Sequence, residues 1–268
     1  MSTRQRKVIR WIDGAKQTTT DQLAVEEPLE IRVDTRPFIV TMRTPGHDHE
    51  LAAGILFTEG IVQSREQIRD IRQNRRNRDG NSIDVFLAAN VIVPFERLAR
   101  RGAVTSSCGV CGKKSIRAVK QRWPIIHSRV VVEVNLLLEL PDRLRAAQPT
   151  FERTGGLHAA GIFTLAGELI VAREDIGRHN AVDKVIGAGL LNGSLPFDQH
   201  VLVVSGRTSF EILQKSLAAR LPIVCAVSAP SSLAVEFAEE SGQTLVGFIR
   251  NTRLNVYTGA RRVRLKKR

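Results

Sequence analysis

Two runs near the start of the chain alternate apolar and polar positions, Leu29 to Val33 and Phe38 to Met42, on either side of a short polar stretch. Alternation of this kind sends one side of an extended chain into a core and the other into water, so the pattern predicts a β-hairpin. The period then changes. In GHDHELAAGILFTEGI, residues Leu51, Ile55 and Leu56 share one side of a helix, with Asp48 placed to cap it. An arginine-rich polar stretch, REQIRDIRQNRRNRDGN, leads into SIDVFLA, which reads as a strand. These elements predict an α+β N-terminal lobe over residues 1–104.

From Thr154 onward the pattern becomes regular. AAGIFT and ELIVARED flank the turn LAG as a second hairpin, and GRHNAVDKVIGAGLL follows as a helix with Ala181, Val185 and Ala188 at core spacing. Next come the strand HVLVVSG, the helix TSFEILQKSLAARL, the strand PIVCAV, the helix SSLAVEFAEESG and the strand TLVGFIR. Strands alternating with amphipathic helices predict a three-layer α/β lobe with parallel strands over 154–260. The fold class expected is therefore α/β. Residues 105–153 are expected to form a cysteine loop and linker, with helix in KKSIRAVKQRW and in VVVEVNLLLELPDRLRAAQPTF, and 261–268 a basic tail.

In a parallel sheet of this kind, every strand-to-helix junction lies on one edge. Three junctions carry small or polar residues there: REDIGRHN (173–180), VSGRTSF (204–210) and VSAPSS (227–232). Free N–H groups at helix starts favour anions, and Arg178 and Arg207 add positive charge. The same residue types also serve as ordinary turn and cap residues.

Composition narrows the reading. A chain of 268 residues can bury a sizeable core, and 43% apolar with 25% charged residues fits a globular protein. No apolar stretch approaches the roughly 18 residues of a membrane span, and the first residues lack the apolar core of a secretion signal. Three cysteines make a poor disulfide framework. A cytoplasmic protein is expected, with no membrane contact. The net charge of +13 is localised: residues 101–130 and 251–268 each hold seven Lys or Arg and no Asp or Glu, which accounts for all of it. Such clusters attract nucleic acid, a nucleotide cofactor or an acidic protein face. With 5% aromatic residues and one tyrosine, base-stacking surface is scarce, which disfavours nucleic acid.

The chemistry concentrates in TSSCGVCGKK, residues 105–114. A structural zinc site needs four ligands and the chain offers one Cys-x-x-Cys unit; His127 and His158 could complete a set, though neither lies in ligand-type local spacing, so no metal is expected. Zinc deaminases place a Glu two residues after the ligating His, and here Ala160 stands at that position. A thioredoxin-type motif should open a helix directly after a strand, whereas this pair follows LARRGAVTSS. Cys225, mid-strand among apolar neighbours, reads as a core residue. Cys108 and Cys111, by contrast, have Lys113, Lys114 and Arg117 close in sequence and no carboxylate near, a setting that favours thiolate and hence nucleophilic sulfur. Glycines at 109 and 112 would let the loop move.

Six motifs, SSCGVCGK, TGGLHAAGIF, REDIGRHNAVDKVIG, VSGRTSFEILQK, VSAPSSLAVE and GFIRNTRLNVYTG, resemble in this order the formate dehydrogenase accessory protein family, FdhD, from about residue 20 to 260. The resemblance implies a cytoplasmic, homodimeric sulfurtransferase. It would take persulfide sulfur from a cysteine desulfurase and pass it to the molybdenum of a bis-molybdopterin guanine dinucleotide cofactor, bound as substrate, before insertion into formate dehydrogenase. A guanine nucleotide such as GDP would mimic that cofactor, and no zinc would be needed. The persulfide would sit on Cys108, supported by Cys111. The cofactor-binding stretch would be Phe248, Ile249, Arg250, Asn251, Thr252 and Arg253, and the C-terminal lobe would be similar to the cytidine deaminase fold without zinc. Two pyrophosphates call for arginines and N–H donors, so Arg207, Arg250 and Arg253, with Ser205 on the rim, are candidates. His179 would face the rim or be satisfied at its helix start. Asp175 and Asp183 would orient ribose or pair with arginines. The alternative is a cofactor-binding chaperone whose cysteines sense redox state without transferring sulfur.

Overall fold

The structure is a computed structural model that describes residues 2–74, 80–95 and 123–265. It opens on a hairpin that the sequence reading passed over. Strands β1 (Thr3–Ile12) and β2 (Ala15–Ala24) pair antiparallel about Asp13 and Gly14, both at positive φ, the geometry that a tight two-residue hairpin turn requires. The ribbon is largely exposed, with Trp11 at 67%, and its base meets Thr150 through a 3.5 Å contact between hydroxyls from Ser2.

The predicted hairpin is β3 (Glu27–Val33) with β4 (Arg36–Arg43), again turning through two positive-φ residues, Asp34 and Thr35. SIDVFLA supplies β6 (Ser82–Leu87), parallel to β3. The arginine-rich stretch is no mere connection: it contains β5 (Ile68–Gln73), giving the order β4-β3-β6-β5. Only Ile68 of that edge strand is fully buried, so its polar composition hid it.

Helix α1 (Asp48–Thr58) forms as expected, but Asp48 is its first residue and not its cap. His47, in left-handed backbone, precedes it, while the Asp48 carboxylate accepts two 3.1 Å bonds from Arg43. All residues from Leu51 to Thr58 are buried.

The C-terminal part is built on β8 (His158–Thr164), β9 (Leu169–Asp175), β10 (His200–Val204), β11 (Ile223–Ala226), β12 (Thr244–Arg250) and β13 (Arg253–Thr258), in the order β13-β12-β11-β10-β8-β9. Only β10, β11 and β12 pair in parallel. The β8–β9 hairpin forms as expected, whereas the parallel expectation fails where β8 meets β10, which pair antiparallel, and at β12–β13, whose short loop can only return the chain antiparallel. Alternate residues face opposite sides. Ile162, Leu202, Val204 and Val224 pack with helices α4 (Arg178–Leu191), α5 (Phe210–Ala218) and α6 (Ser232–Ser241). Phe163, Val201, Val203, Ile223 and Cys225 pack with α2 (Val134–Ala146).

Helix α2 therefore does more than the linker role read from the sequence. Leu137, Leu140 and Leu144 are buried and form the third layer, after which α3 (Pro149–Thr154) leads into β8. The start of the basic tail is ordered too: β14 (Val263–Arg264) pairs in parallel with β7 (Val132–Glu133). One continuous apolar core joins Leu29, Ile31, Leu51 and Ile83 of the N-terminal part to Val182, Val185 and Leu202 of the C-terminal part, with α1 laid against α4 between them. The helix expected in KKSIRAVKQRW lies outside the described residues except for Trp123, which stacks on Phe57 with ring centres 5.8 Å apart.

Candidate functional site

Strands β10, β11 and β12 end on one edge, and β9 ends there as well because it runs antiparallel to β8, itself antiparallel to β10. The sheet thus gathers the three polar junctions on a single rim. Loops 204–210 and 227–232 are bonded to each other: Thr208 N donates to Ala229 O at 3.1 Å and Ser231 N to Thr208 O at 3.0 Å. The FIRNTR stretch is the tip of the β12–β13 hairpin, with Arg250 paired to Arg253 across Asn251 and Thr252. Phe248 N donates to Ser228 O at 3.2 Å, and Arg250 Nη1 donates to Val227 O, so the tip is docked on loop 227–232. Helices α4, α5 and α6 all start at this rim, turning the positive ends of their dipoles toward it.

The candidate residues divide by exposure. Arg207, Arg250, Asn251, Thr252 and Arg253 are exposed, and Phe248 is 40% exposed at positive φ. The Ile249 side chain, 1% exposed, packs with Val246 and Cys225 in the core and supports the tip from beneath. His179 is 2% exposed, and side chains satisfy it where a helix start would offer backbone: Nε2 lies 3.1 Å from both Ser209 Oγ and Glu211 Oε2. The hydrogen bond with His179 holds the Glu211 carboxyl down at about 2. Ser205 Oγ accepts from Ala159 N at 2.9 Å.

Beside this rim lies a cleft of about 550 Å³ between α2, α3 and the sheet, whose wall includes Arg145, Gln148, Phe151, His158, Ser205 and Val227. Gln148 is 4% exposed, and among the described residues its Nε2 has no hydrogen-bond partner. Gly206 lets the loop approach His158, since a Cβ there would lie 3.1 Å from Nδ1. Burial, and then Arg178, push the His158 pKa down, so the imidazole is neutral at pH 7. A neutral donor-acceptor ring, an unpartnered amide and aromatic and aliphatic walls suit a planar polar heterocycle; the arginines on the adjoining rim suit its anionic groups.

Asp175 and Asp183 are buried away from this cleft and rim. Asp175 is 0% exposed, with its Oδ2 2.7 Å from Lys184 Nζ and its Oδ1 accepting from Gly177 N at 2.8 Å. Asp183 accepts from Lys215 Nζ at 2.8 Å and from Thr58 Oγ1 at 2.8 Å. Both carboxylates pair with lysines in the core instead of with ribose or arginine. Burial raises both pKa values against the pull of the lysines. They fix the N-terminus of α4 and its seat against the N-terminal part.

Comparison with known proteins shows the family to which the chain belongs. Residues 24–264 match the FdhD/NarQ family. The chain belongs to that family. It is 52% identical to the sulfur carrier protein FdhD of Streptomyces avermitilis, over 98% of this chain and 96% of that one. It is 42% identical to the sulfur carrier protein FdhD of Sulfolobus acidocaldarius, over 99% and 100%. The crystal structure of a protein assigned as a formate dehydrogenase accessory protein, from Desulfotalea psychrophila, superposes with a TM-score of 0.76 at 25% identity, over 98% of this chain and all of the other. As an FdhD/NarQ member the chain is of the sulfur-carrier, formate dehydrogenase accessory kind.

The cysteine pair expected to carry the sulfur, Cys108 and Cys111, lies outside the described residues of this FdhD/NarQ chain. The chain re-enters at Trp123, where Arg220 Nη1 donates to Pro124 O at 2.7 Å and Ile126 N to Ser241 O at 2.9 Å, on the edge opposite the rim. Among the described residues no group of three or more His, Cys, Asp or Glu is placed to hold a metal ion. None of the described helices is long and apolar enough to cross a membrane. Sequence reasoning missed Arg145 and Gln148, which sit in the segment taken as linker, and weighed His158 only as a zinc ligand. The Gly155-Gly156 pair just before His158 was the available signal.

Proposed function

We propose that this chain is a sulfurtransferase that accepts sulfur from a cysteine desulfurase as a persulfide on Cys108. It passes that sulfur to the molybdenum cofactor, in its bis-molybdopterin guanine dinucleotide form, before the cofactor enters formate dehydrogenase. The observation that supports this most directly is the burial of Cys225. It is 0% exposed, and burial drives its thiol pKa far up. Of the three cysteines, sulfur carriage is left to Cys108 and Cys111, in a chain whose relatives are named sulfur carriers.

In the first step the Cys108 thiolate attacks the outer sulfur of the desulfurase persulfide. The donor S–S bond breaks, the donor leaves as thiolate, and a persulfide remains on Cys108. In the second, an electron pair of the acceptor bonds the outer sulfur, formally neutral, the Cys108 S–S bond breaks and Cys108 returns to thiolate, the acceptor being oxidised by two electrons. Cys111 assists, or resolves the persulfide by forming a disulfide with release of sulfide when no acceptor is present. The cofactor rests on the carboxyl-edge rim, with Arg207, Arg250 and Arg253 on its phosphates and Ser205, Asn251 and Thr252 beside them, while buried His179 holds the loop at Ser209. A guanine nucleotide such as GDP takes the same place. Cys108 lies fifteen positions before Trp123, a reach of up to about 50 Å when extended, so an anchor on the far edge does not bar delivery at the rim. The chain acts as a cytoplasmic homodimer, and its C-terminal unit is a deaminase-type layer in which Ala160 replaces the proton-shuttling Glu.

A single-turnover experiment tests transfer. Protein loaded with sulfur and desalted is mixed with the molybdenum cofactor, and the sulfur remaining on Cys108 is counted. Loss that requires the cofactor, and slows in Arg253→Ala, is the expected result. Retention of the full load with the cofactor bound would leave a chaperone and not a carrier.

A further inference from the structure

His158 opens β8 at the rim, and its half-buried imidazole forms part of the cleft wall with Ser205 and Val227. Charged groups approach the ring from several elements. Arg178 and His179 begin α4, the buried Asp175 ends β9 in register with His158, and Arg207 stands on loop 204–210. From α2, Asp142 and Arg145 also line the cleft, Arg145 being bonded to Glu152 at 3.2 Å. Loop, imidazole and Arg178 meet at Gly206, where a Cβ would lie 3.1 Å from His158 Nδ1 and 4.0 Å from Arg178 Cδ. A side chain there would press on both, so the glycine lets the arginine and the ring share one corner of the cleft.

The charges around that corner oppose a protonated ring. Burial lowers the His158 pKa first, and Arg178, His179 and Arg207 lower it further. Asp175 pulls the other way, but its carboxylate is 2.7 Å from Lys184 Nζ, which offsets much of its charge. An anion seated beside the ring and the two arginines reverses the balance, because it neutralises both guanidinium groups and gives an imidazolium N–H an acceptor. Anion and proton then favour each other, and by linkage each does so by the same factor.

We propose that His158 and Arg178, with Arg207, hold the phosphate end of the cofactor's nucleotide, and that His158 takes up one proton from solvent as that anion binds. The proposal rests on the guanine dinucleotide cofactor being the ligand of the rim. It adds Arg178 to the rim arginines and gives His158 two states. The free ring is neutral; the bound ring is an imidazolium that donates to a phosphate oxygen. A nucleoside without phosphate brings no charge and draws no proton, so the pair selects for the anionic end of the ligand.

Proton NMR of the histidine rings in the full chain, with the His158 signal identified by its absence from His158→Gln, reads the two states directly. Its titration midpoint should lie below the ordinary histidine value of about 6.5 in the free protein and rise by about one unit or more with saturating GDP. Guanosine should leave it in place. Arg178→Gln should raise the free midpoint and weaken GDP binding about tenfold. The ratio of wild-type to His158→Gln affinity for GDP, in which the titration of GDP itself cancels, should grow about fivefold between pH 8 and pH 5. If His158→Gln does not fold, Arg178→Gln, altered at a partly exposed side chain, moves the same signal and identifies it. GDP that binds without moving this signal, guanosine that moves it equally, or an Arg178→Gln protein with wild-type midpoint and affinity would each overturn the proposal and spare the cofactor assignment. No GDP binding at all would overturn both.

Discussion

Gly54 of α1 and Gly187 of α4 face each other where the two helices cross, so close that neither can carry a side chain. A Cβ on Gly54 would lie 1.9 Å from Asp183 O, and one on Gly187 would lie 1.8 Å from Glu50 O. The obstacle in each case is the partner helix backbone, which cannot swing aside as a side chain can. This crossing joins the N-terminal part to the C-terminal sheet, so Gly54→Ala or Gly187→Ala must push the helices apart. Each is expected to cost about 3 kcal/mol, read as a lower urea midpoint. An unchanged midpoint would mean that the parts meet elsewhere.

Beside that crossing, Lys215 Nζ reaches Asp183 and Thr58 at 2.8 and 3.1 Å in an environment almost closed to water. Lys215→Met would leave the Asp183 carboxylate buried without its cation. The expected loss is roughly 3–5 kcal/mol, and adding Asp183→Ala should recover part of it, because the unpaired charge is then gone. Denaturation of both single variants and the double variant measures the coupling; simple additivity would contradict it.

Glu50 gives the pH dependence. Burial raises its pKa, but hydrogen bonds with Arg173 and His47 outweigh that and bring it down to about 2, with Arg173 Nη2 at 2.7 Å. Because the folded pKa lies below the ordinary carboxylate value, the stabilisation is complete above that value and is lost as pH falls toward 2. Glu50→Gln should therefore be the less stable protein at pH 7, with the gap closing between about pH 5 and pH 2. Thermal melts across that range check it; a gap that does not depend on pH would show that charge plays no part.

The rim makes its own prediction. GDP should bind with an affinity that falls as salt rises, and Arg207→Ala or Arg253→Ala should weaken it roughly tenfold each. Arg250→Ala should weaken it further, because Arg250 also ties the hairpin tip to Val227 O. GDP binding indifferent to these three residues would place the nucleotide elsewhere.

The regular elements were legible because burial on one or two faces writes itself into the pattern: β10, β11 and the α4–α6 series appear in sequence nearly as they stand in space. What escaped had little buried surface to write with. Strand β5 has Ile68 as its one fully buried residue, and β1–β2 is exposed along most of its length, although Asp13-Gly14 between alternating runs was a turn signal. The common edge of the rim was inferable from topology. Its division into exposed arginines and buried His179 and Ile249 was not, because period alone does not say which rim residues are already engaged. The lysine partners of Asp175 and Asp183 are likewise invisible in sequence, since Lys215 lies 32 residues from Asp183.

The most direct measurement is the intact mass of the protein after incubation with a cysteine desulfurase and cysteine. A gain of about 32 Da, one sulfur atom, is expected in wild type and in Cys225→Ala, reversed by a reductant and absent in Cys108→Ala. A gain that persists in Cys108→Ala, or its absence from the wild type, would contradict the assignment of Cys108 as the carrier.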